Sequence, residues 1–351
     1  MTRLRRSDCS APGYRRRRCG RGFVYLTPED RRLTDPAVLA RIRELVIPPA
    51  WREVWICPDE RGHLQATGFD EAGRKQYLYH PDWRIRRDRE KFATMLDFAA
   101  RLPRLRRLVE RELRSGELDR RRMLACGARL LDVGCFRVGS EDYARENGSH
   151  GLTTIRREHV SRRDGEIVFD YPAKSGQRLF TVVGDPGACA ALNDLIRRRR
   201  APASAQLLAY REGRSWHPVR AEDINAYLKE ALDGDFTAKD FRTWNATVLA
   251  AAALARSAPA ARTKTARRRT IAAAVAATAE CLGNTPAVCR ASYIDPRVFD
   301  RYLSGWTLAD VGPGPTDLRL LAQPRRRARI EAGVLDLLTD RATDEVARLA
   351  A

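Results

Sequence analysis

Leu282-Gly283-Asn284-Thr285-Pro286 constrains this chain more than any other stretch, because it dictates a helix, a sharp turn and a second helix within five residues. Gly283 is placed to stop the first helix in a left-handed turn. Thr285 is placed to cap the next helix and Pro286 to fill its first position. The short helix that follows ends on Tyr293, about two turns on, with Asn284 back at its entrance. A tyrosine held this way, in a polar and basic neighbourhood, is a candidate nucleophile as well as a candidate core filler. A phenol titrates near ~10, so at neutral pH it attacks poorly unless cations surround it.

Charge narrows the partner. Lys+Arg 65 against Asp+Glu 45 leaves +20 over 351 residues. A globular chain this basic is expected to meet a polyanion, and nucleic acid is the default partner. The excess is almost all arginine, which a GC-rich genome explains, but such a genome does not remove acids. The lysines are Lys75, Lys91, Lys174, Lys229, Lys239 and Lys264, so a lysine in a special place is informative.

Length allows two domains, each with its own core. The eight cysteines form no CxxC pair and no cluster with zinc spacing, so neither a metal nor a cofactor is expected. Cys126 and Cys135, or Cys281 and Cys289, are spaced like helix-face positions and read as reduced core residues of a cytoplasmic protein. The Ala-rich runs near Val248–Leu254 and Ile271–Ala279 are too short to span a membrane, and Arg5-Arg6 is followed by no apolar signal region.

Residues 1–22, with Arg15-Arg16-Arg17-Arg18 in a row, are expected to be a flexible basic arm. Residues 23–90 read as a small antiparallel β-rich domain. Val54-Trp55-Ile56, His63 to Gly68 and Gln76 to His80 are its strands, with a turn at Glu71-Ala72-Gly73. Residues 91–351 read as a mainly helical domain. Phe92, Met95, Leu96 and Ala99 mark a helix expected to end at Leu102-Pro103, and Leu124, Ala128, Leu131 and Cys135 mark another. A small sheet interrupts the helices. Its strands run from His159-Val160 to the turn Asp164-Gly165, along Glu166–Tyr171, and back over Gln177–Val183 after a turn at Ala173-Lys174-Ser175-Gly176. Helices are expected from there to the end, with Thr237 capping the one that carries Phe241-Arg242-Thr243-Trp244. The fold class is thus α+β.

Arg137 in a glycine-flanked bend, Lys174 at a hairpin tip, Arg242 on a capped helix, and Asn284 with Tyr293 suit one chemistry: transfer of a DNA phosphodiester to the tyrosine oxygen. Attack crowds charge onto the non-bridging oxygens. Two planar, permanently charged guanidiniums match those oxygens, each donor contributing ~3 kcal/mol in the transition state. Asn284 can add a neutral hydrogen bond. The 5′-alkoxide leaving group needs a proton, and a lysine near arginine charges can donate it. The ester formed has roughly the energy of the bond it replaces, so resealing needs neither ATP nor metal. Taken singly, each residue has an ordinary reading: a surface or ion-paired arginine, a polar turn lysine, a packed tyrosine, a C-cap asparagine. Order and context together favour the chemical one.

In these blocks the chain resembles a bacterial type IB DNA topoisomerase of the short, poxvirus-like form. They are Tyr79-His80-Pro81-Asp82-Trp83, Lys91-Phe92, Leu102 to Arg106, Arg137 to Tyr143, Gly151 to Arg156, Lys174-Ser175-Gly176, Phe241 to Trp244 and Leu282 to Ile294. They cover most of the chain in the family's order. The resemblance implies a β-rich N-terminal domain and the helical catalytic fold shared with tyrosine recombinases, closing as a monomeric clamp on DNA in the nucleoid. It implies a 3′-phosphotyrosyl link through Tyr293, relaxation of supercoils by strand rotation, and resealing. Arg137 and Arg242 would hold the phosphate, and Lys174 would be the general acid. Tyr77, Tyr79, His80, Arg156, Ser175 and Trp244 would be further DNA contacts. Asn284 stands where many relatives carry histidine, and the bacterial branch resembles this chain in using asparagine, which cannot titrate. Asp295, where histidine is expected, would oppose the phenolate and slow cleavage slightly.

Two alternatives remain at this stage. A tyrosine recombinase or integrase shares the Arg-Lys-Arg-Tyr set, but its second arginine sits in a His-rich box, unlike Phe241-Arg242-Thr243-Trp244-Asn245. A catalytically silent DNA-binding protein would explain the charge equally well.

Overall fold

The computed structural model describes residues 3–198, 205–258, 263–341, 343 and 345–348. The chain divides into two compact units, residues 1–93 and 94–351.

The first unit is a five-stranded antiparallel sheet in the order β2-β1-β3-β4-β5. Its strands are β1 (Tyr14–Cys19), β2 (Gly22–Leu26), β3 (Arg52–Ile56), β4 (Leu64–Phe69) and β5 (Lys75–Tyr79). Helix α1 (Pro36–Glu44) begins at Asp35, whose carboxylate accepts from Ala37 N and Val38 N. Ile42, Ile47, Val54, Ile56 and Ala66 form the core beside it, with Trp51 and Leu78 packed on the edge. The arginine run expected in a flexible arm is instead β1, paired with both β2 and β3. The physical reason is that alternate arginines point to opposite faces. Arg16 turns inward, stacks over Phe23 at 4.2 Å and donates to the carbonyls of Ile47, Pro48 and Trp51. Four consecutive charges therefore do not prevent a strand.

Helix α2 (Pro81–Leu113) runs straight through Pro103, which was expected to end it. A proline inside a helix costs about 3 kcal/mol. Against that, Met95, Phe98, Ala99, Leu102, Leu105, Val109 and Leu113 form one buried stripe across the proline. Each large member contributes ~1.5–3 kcal/mol, so burial wins.

The second unit continues with α3 (Arg120–Gly134), α4 (Glu141–Asn147), the sheet β6 (Val160–Arg163), β7 (Glu166–Pro172) and β8 (Arg178–Val183), and α5 (Pro186–Ile196). Then come β9 (Ala209–Glu212), β10 (Ser215–Pro218), α6 (Ala221–Leu232), α7 (Ala238–Ser257), α8 (Lys264–Leu282), α9 (Pro286–Ser292) and α10 (Pro296–Leu303). Strand β11 (Trp306–Leu308), α11 (Leu318–Leu321), α12 (Pro324–Thr339) and β12 (Val346–Arg348) close it. Helix α7 is buried nearly all round and packs on α3, α8, α10 and α12. The sheet β6-β7-β8 follows the expected turns. The two-stranded pairs β9-β10 and β11-β12 were not expected, since helices were read to the end. Runs of three or four residues are too short to show a period of two.

Candidate active site

The turn between α8 and α9 organises the site. Gly283 is left-handed, with φ +58 and ψ 51, and ends α8 as its sequence context predicts. A Cβ on it would stand 2.6 Å from Leu179 Cδ2, so any other residue would both strain the left-handed backbone and displace Leu179. Thr285 caps α9 by accepting from Val288 N. The turn thereby presents two carbonyls and one amide toward two arginines. Arg242 Nη2 donates to Leu282 O at 2.9 Å, and its Nη1 donates to Cys135 O. Arg137 Nη2 donates to Gly283 O at 2.7 Å and to Asn284 Oδ1 at 2.5 Å.

Arg137 itself stands on a loop after α3. Leu152 N and Thr153 N donate to Arg137 O and Val138 O, and Gly139 and Gly151 approach so closely that a Cβ on Gly151 would lie 2.5 Å from Gly139 Cα. The Gly151-Leu152-Thr153 segment is thus the clamp that fixes the arginine loop. Arg242 is held by a capping box at the start of α7, where Thr237 N and Oγ1 both donate to Asp240 Oδ2.

Among the described residues, neither guanidinium has a carboxylate partner. Their protein bonds go to neutral oxygens, as does that of the buried Arg198, whereas the buried Arg122 and Arg327 and the half-buried Arg106 are paired with acids. Arg242 is only 3% exposed. Burial, and then the charge of Arg242, pulls Arg137 below its ordinary value. Three buried N–H groups around them have no protein partner: Arg137 Nη1, Arg242 Nε and Asn284 Nδ2. Because arginine only donates, Asn284 must turn its oxygen to Arg137, which leaves the Asn284 amide hydrogens to donate elsewhere. Two uncompensated cations and three orphaned donors form a cradle for an oxyanion.

Tyr293 lies beside this cradle, half-buried at the end of α9, with its ring 5.1 Å from the Arg242 guanidinium carbon. Tyr171 is also near both arginines, but burial pushes its phenol up to about 12 despite their charge. It is 1% exposed and belongs to the core. Lys174 lies in the turn Lys174–Gly176 between β7 and β8, exposed, and lines one 290 Å³ cavity with Arg137, Gly139, Ser140, Tyr143 and His150. Its Nζ stands 5.7 Å from the Tyr143 ring centre. Tyr143, unlike the five catalytic candidates, was not singled out beforehand. The signal was its place in the same block as Arg137.

Two of the other expected positions read differently. Trp244 is not a surface contact: it is 1% exposed and its indole donates to Glu331 Oε1 at 3.0 Å. Facing inward from α7, it cannot reach a DNA surface. Asp295 does not face the phenol as a free acid. It is 0% exposed, caps α10 by accepting from Arg297 N, and pairs with the Arg297 guanidinium at 2.6 Å. Its charge is therefore compensated locally. Arg156 is exposed and pairs with Glu158 at 3.3 Å. Ser175 lies in the lysine turn, and its side chain falls outside the described residues. In the first unit, Tyr77 is 45% exposed and stacks on Tyr79, while His80 Nδ1 accepts from Asp82 N at the start of α2.

Behind the cradle lies a buried ionic network. Arg106 joins Asp132 and Glu331, and Arg327 joins the same two acids. Arg327 also donates to Asn245 Oδ1, and Asn245 Nδ2 donates to Asp132 O. Burial alone would raise Asp132 and Glu331, but Arg106 and Arg327 hold both well below the usual carboxylate range. The network ties α2, α3, α7 and α12 together at the residues next to Arg242 and shortly before Arg137.

A β-rich unit followed by a helical unit, with a tyrosine beside two arginines that carry orphaned donors, is an arrangement suited to phosphodiester transfer. The family model described as eukaryotic DNA topoisomerase I, catalytic core, matches residues 80–303, and that for the bacterial DNA topoisomerase IB N-terminal domain matches residues 22–70. The chain is 30% identical over 296 residues to a protein of Acanthamoeba polyphaga mimivirus described as DNA topoisomerase 1B, covering 83% of this chain and 87% of that one. The chain belongs to the type IB DNA topoisomerases. It is an isomerase that acts on DNA, and the recombinase and silent-binder alternatives fall away. Among the described residues, no helix is long and apolar enough to cross a membrane.

Proposed function

We propose that Tyr293 is the nucleophile and that Arg137, Arg242 and Asn284 form the phosphate cradle. The observation that carries this reading is the set of orphaned buried donors, Arg137 Nη1, Arg242 Nε and Asn284 Nδ2, beside a tyrosine. The non-bridging oxygens of one DNA phosphate take those donors. The Tyr293 oxygen attacks the phosphorus and gives up its proton to solvent, from which it takes one back when resealing releases it. The bond to the 5′-oxygen breaks, and Lys174 gives that oxygen a proton as it leaves. A 3′-phosphotyrosyl ester remains on one strand, and the free 5′-OH end rotates until torsion is spent. The same 5′-OH then attacks the phosphorus, returns its proton to Lys174 and releases Tyr293. Charge is stabilised throughout by fixed guanidiniums, and no bond energy is lost between ester and diester.

The chain is proposed to act as a monomer on double-stranded DNA, in the cytoplasm and associated with the nucleoid. Tyr77, Tyr79, His80 and Arg156 are the proposed outer contacts.

Negatively supercoiled plasmid incubated with the protein in EDTA and without ATP tests the central reading. Relaxation by wild type and none by Tyr293→Phe is the expected result. Relaxation by Tyr293→Phe would remove Tyr293 as nucleophile, and a strict requirement for added metal or ATP would overturn the reaction written above.

A further inference from the structure

The Thr247 hydroxyl lies where the two halves of the site meet. Thr247 is on α7, five residues after Arg242, and is 0% exposed. Its Oγ1 accepts from Asp295 N at 3.1 Å, stands 2.9 Å from Thr243 O and 3.4 Å from Tyr293 O. The hydroxyl proton goes to the carbonyl of Thr243, the residue after Arg242, with the carbonyl of Tyr293 and the sulfur of Met95 at the outer edge of its reach. The same oxygen receives the N–H at the far side of the Tyr293-Ile294-Asp295 turn. Ile294 and Asp295 are both 0% exposed, so the far side of this turn is held within the protein.

Tyr293 needs such a hold. It follows the short helix α9, its backbone is no longer helical (φ −129, ψ −31), and its N–H reaches back to Cys289 O. Upstream it is fixed by α9. Downstream, Asp295 is fixed by its ion pair with Arg297. The carbonyl between them has the Thr247 hydroxyl as its side-chain neighbour. The bond to Thr243 O is the ordinary one for a threonine inside a helix, so the contact particular to this turn is the one that Oγ1 accepts from Asp295 N.

We propose that Thr247 is a positioning residue for cleavage, whose hydroxyl sets the Tyr293 turn in register with the helix that carries Arg242. The proposal rests on the reading of Tyr293 as nucleophile. It makes Thr247 responsible for the distance between phenol oxygen and phosphorus, and for nothing in DNA affinity or in proton donation to the leaving group.

Three variants are compared with wild type: Thr247→Val, which keeps the shape and removes the hydroxyl, Thr247→Ser, which keeps the hydroxyl, and Tyr293→Phe. Single-turnover formation of the covalent protein–DNA adduct is measured beside equilibrium DNA binding. Thr247→Val is expected to cleave about tenfold to a hundredfold more slowly with DNA affinity within about twofold, and Thr247→Ser to return to within about threefold of wild type. A 5′-bridging sulphur in place of the leaving oxygen should not rescue Thr247→Val, because its defect is in attack and not in leaving-group protonation.

Wild-type cleavage by Thr247→Val, failure of Thr247→Ser to rescue, or rescue by the sulphur substrate would each overturn the proposal. If Thr247→Val does not fold, Thr247→Ser and Thr247→Ala are compared below their melting temperatures. The proposal then requires serine to cleave about tenfold or more faster than alanine, and equal rates overturn it. Adduct formation by Tyr293→Phe would instead remove the underlying nucleophile, so the two failures are told apart.

Discussion

At the scale of single residues, the division of labour around the scissile bond follows from which cations are fixed and which is free to move. Arg137 and Arg242 are bound to backbone carbonyls and cannot travel with a proton. Lys174 is exposed on a turn and carries the ammonium of the set. Lys174→Ala is therefore expected to slow cleavage by about a hundredfold or more, and a substrate whose leaving group is a 5′-thiolate should recover most of the loss. Single-turnover cleavage of the two substrates checks this, and an unrescued variant would give Lys174 some other task. The place of Lys174 in a turn between two strands was legible in the sequence because a hairpin tip is recognisable. Trp244 was misread for a related reason: it shares a block with Arg242, but successive helix positions point about 100° apart, so neighbours in a motif need not share a surface. Asp295 was misread because its partner Arg297 becomes visible only once the N-cap geometry is known.

At the scale of elements, the α8–α9 turn and the α3–α7–α12 network do different jobs. The turn sets the donors, and its glycine cannot be replaced without cost. Gly283→Ala would demand a left-handed alanine and drive a methyl into Leu179. The expectation is a loss of about 1–2 kcal/mol or more, seen as a lower melting temperature, together with slower cleavage as the Leu282 and Gly283 carbonyls shift away from their arginines. A variant as stable as wild type would mean that the turn relaxes freely. The network supports the cradle from behind and should govern acid stability. Asp132 and Glu331 are held below their unfolded values, so the folded chain binds fewer protons than the unfolded one. Their contribution is fully present above the ordinary carboxylate range and is lost as pH falls through the folded values. Thermal melts should hold level near neutrality and drop once the pH passes below about 4, with a shallower drop in Glu331→Gln. An unchanged profile in that variant would place the acid sensitivity elsewhere. This network was not legible beforehand, because its members come from positions 106, 132, 327 and 331 and meet only in three dimensions. The helix break at Gly283, by contrast, is local chemistry and was read directly.

At the scale of the whole molecule, the question is how much of the formal charge is available to DNA. Many arginines are already paired, as Arg74 is with Asp70 and Arg178 with Asp170. Each internal ion pair consumes one charge of either sign, so pairing leaves the +20 excess intact. That excess cannot be folded away, and nothing in the described chain suggests a compensating acidic region beyond the 45 acids already counted. Binding to duplex DNA should therefore be driven mostly by release of counterions, with log affinity falling linearly in log salt. If about six to ten phosphates are neutralised, affinity should drop about 10³-fold or more between 50 and 200 mM salt, as is typical of such contact numbers. The slope should belong to binding alone. Tyr293→Phe, which keeps every positive charge, should show the wild-type slope while forming no adduct. Arg242→Ala should lower the slope by about one unit if its guanidinium meets a phosphate in the bound state. A flat salt response in wild type would mean that the excess charge lies away from the DNA, and the polyanion reading of the composition would have to be given up even though the cradle around Tyr293 remained.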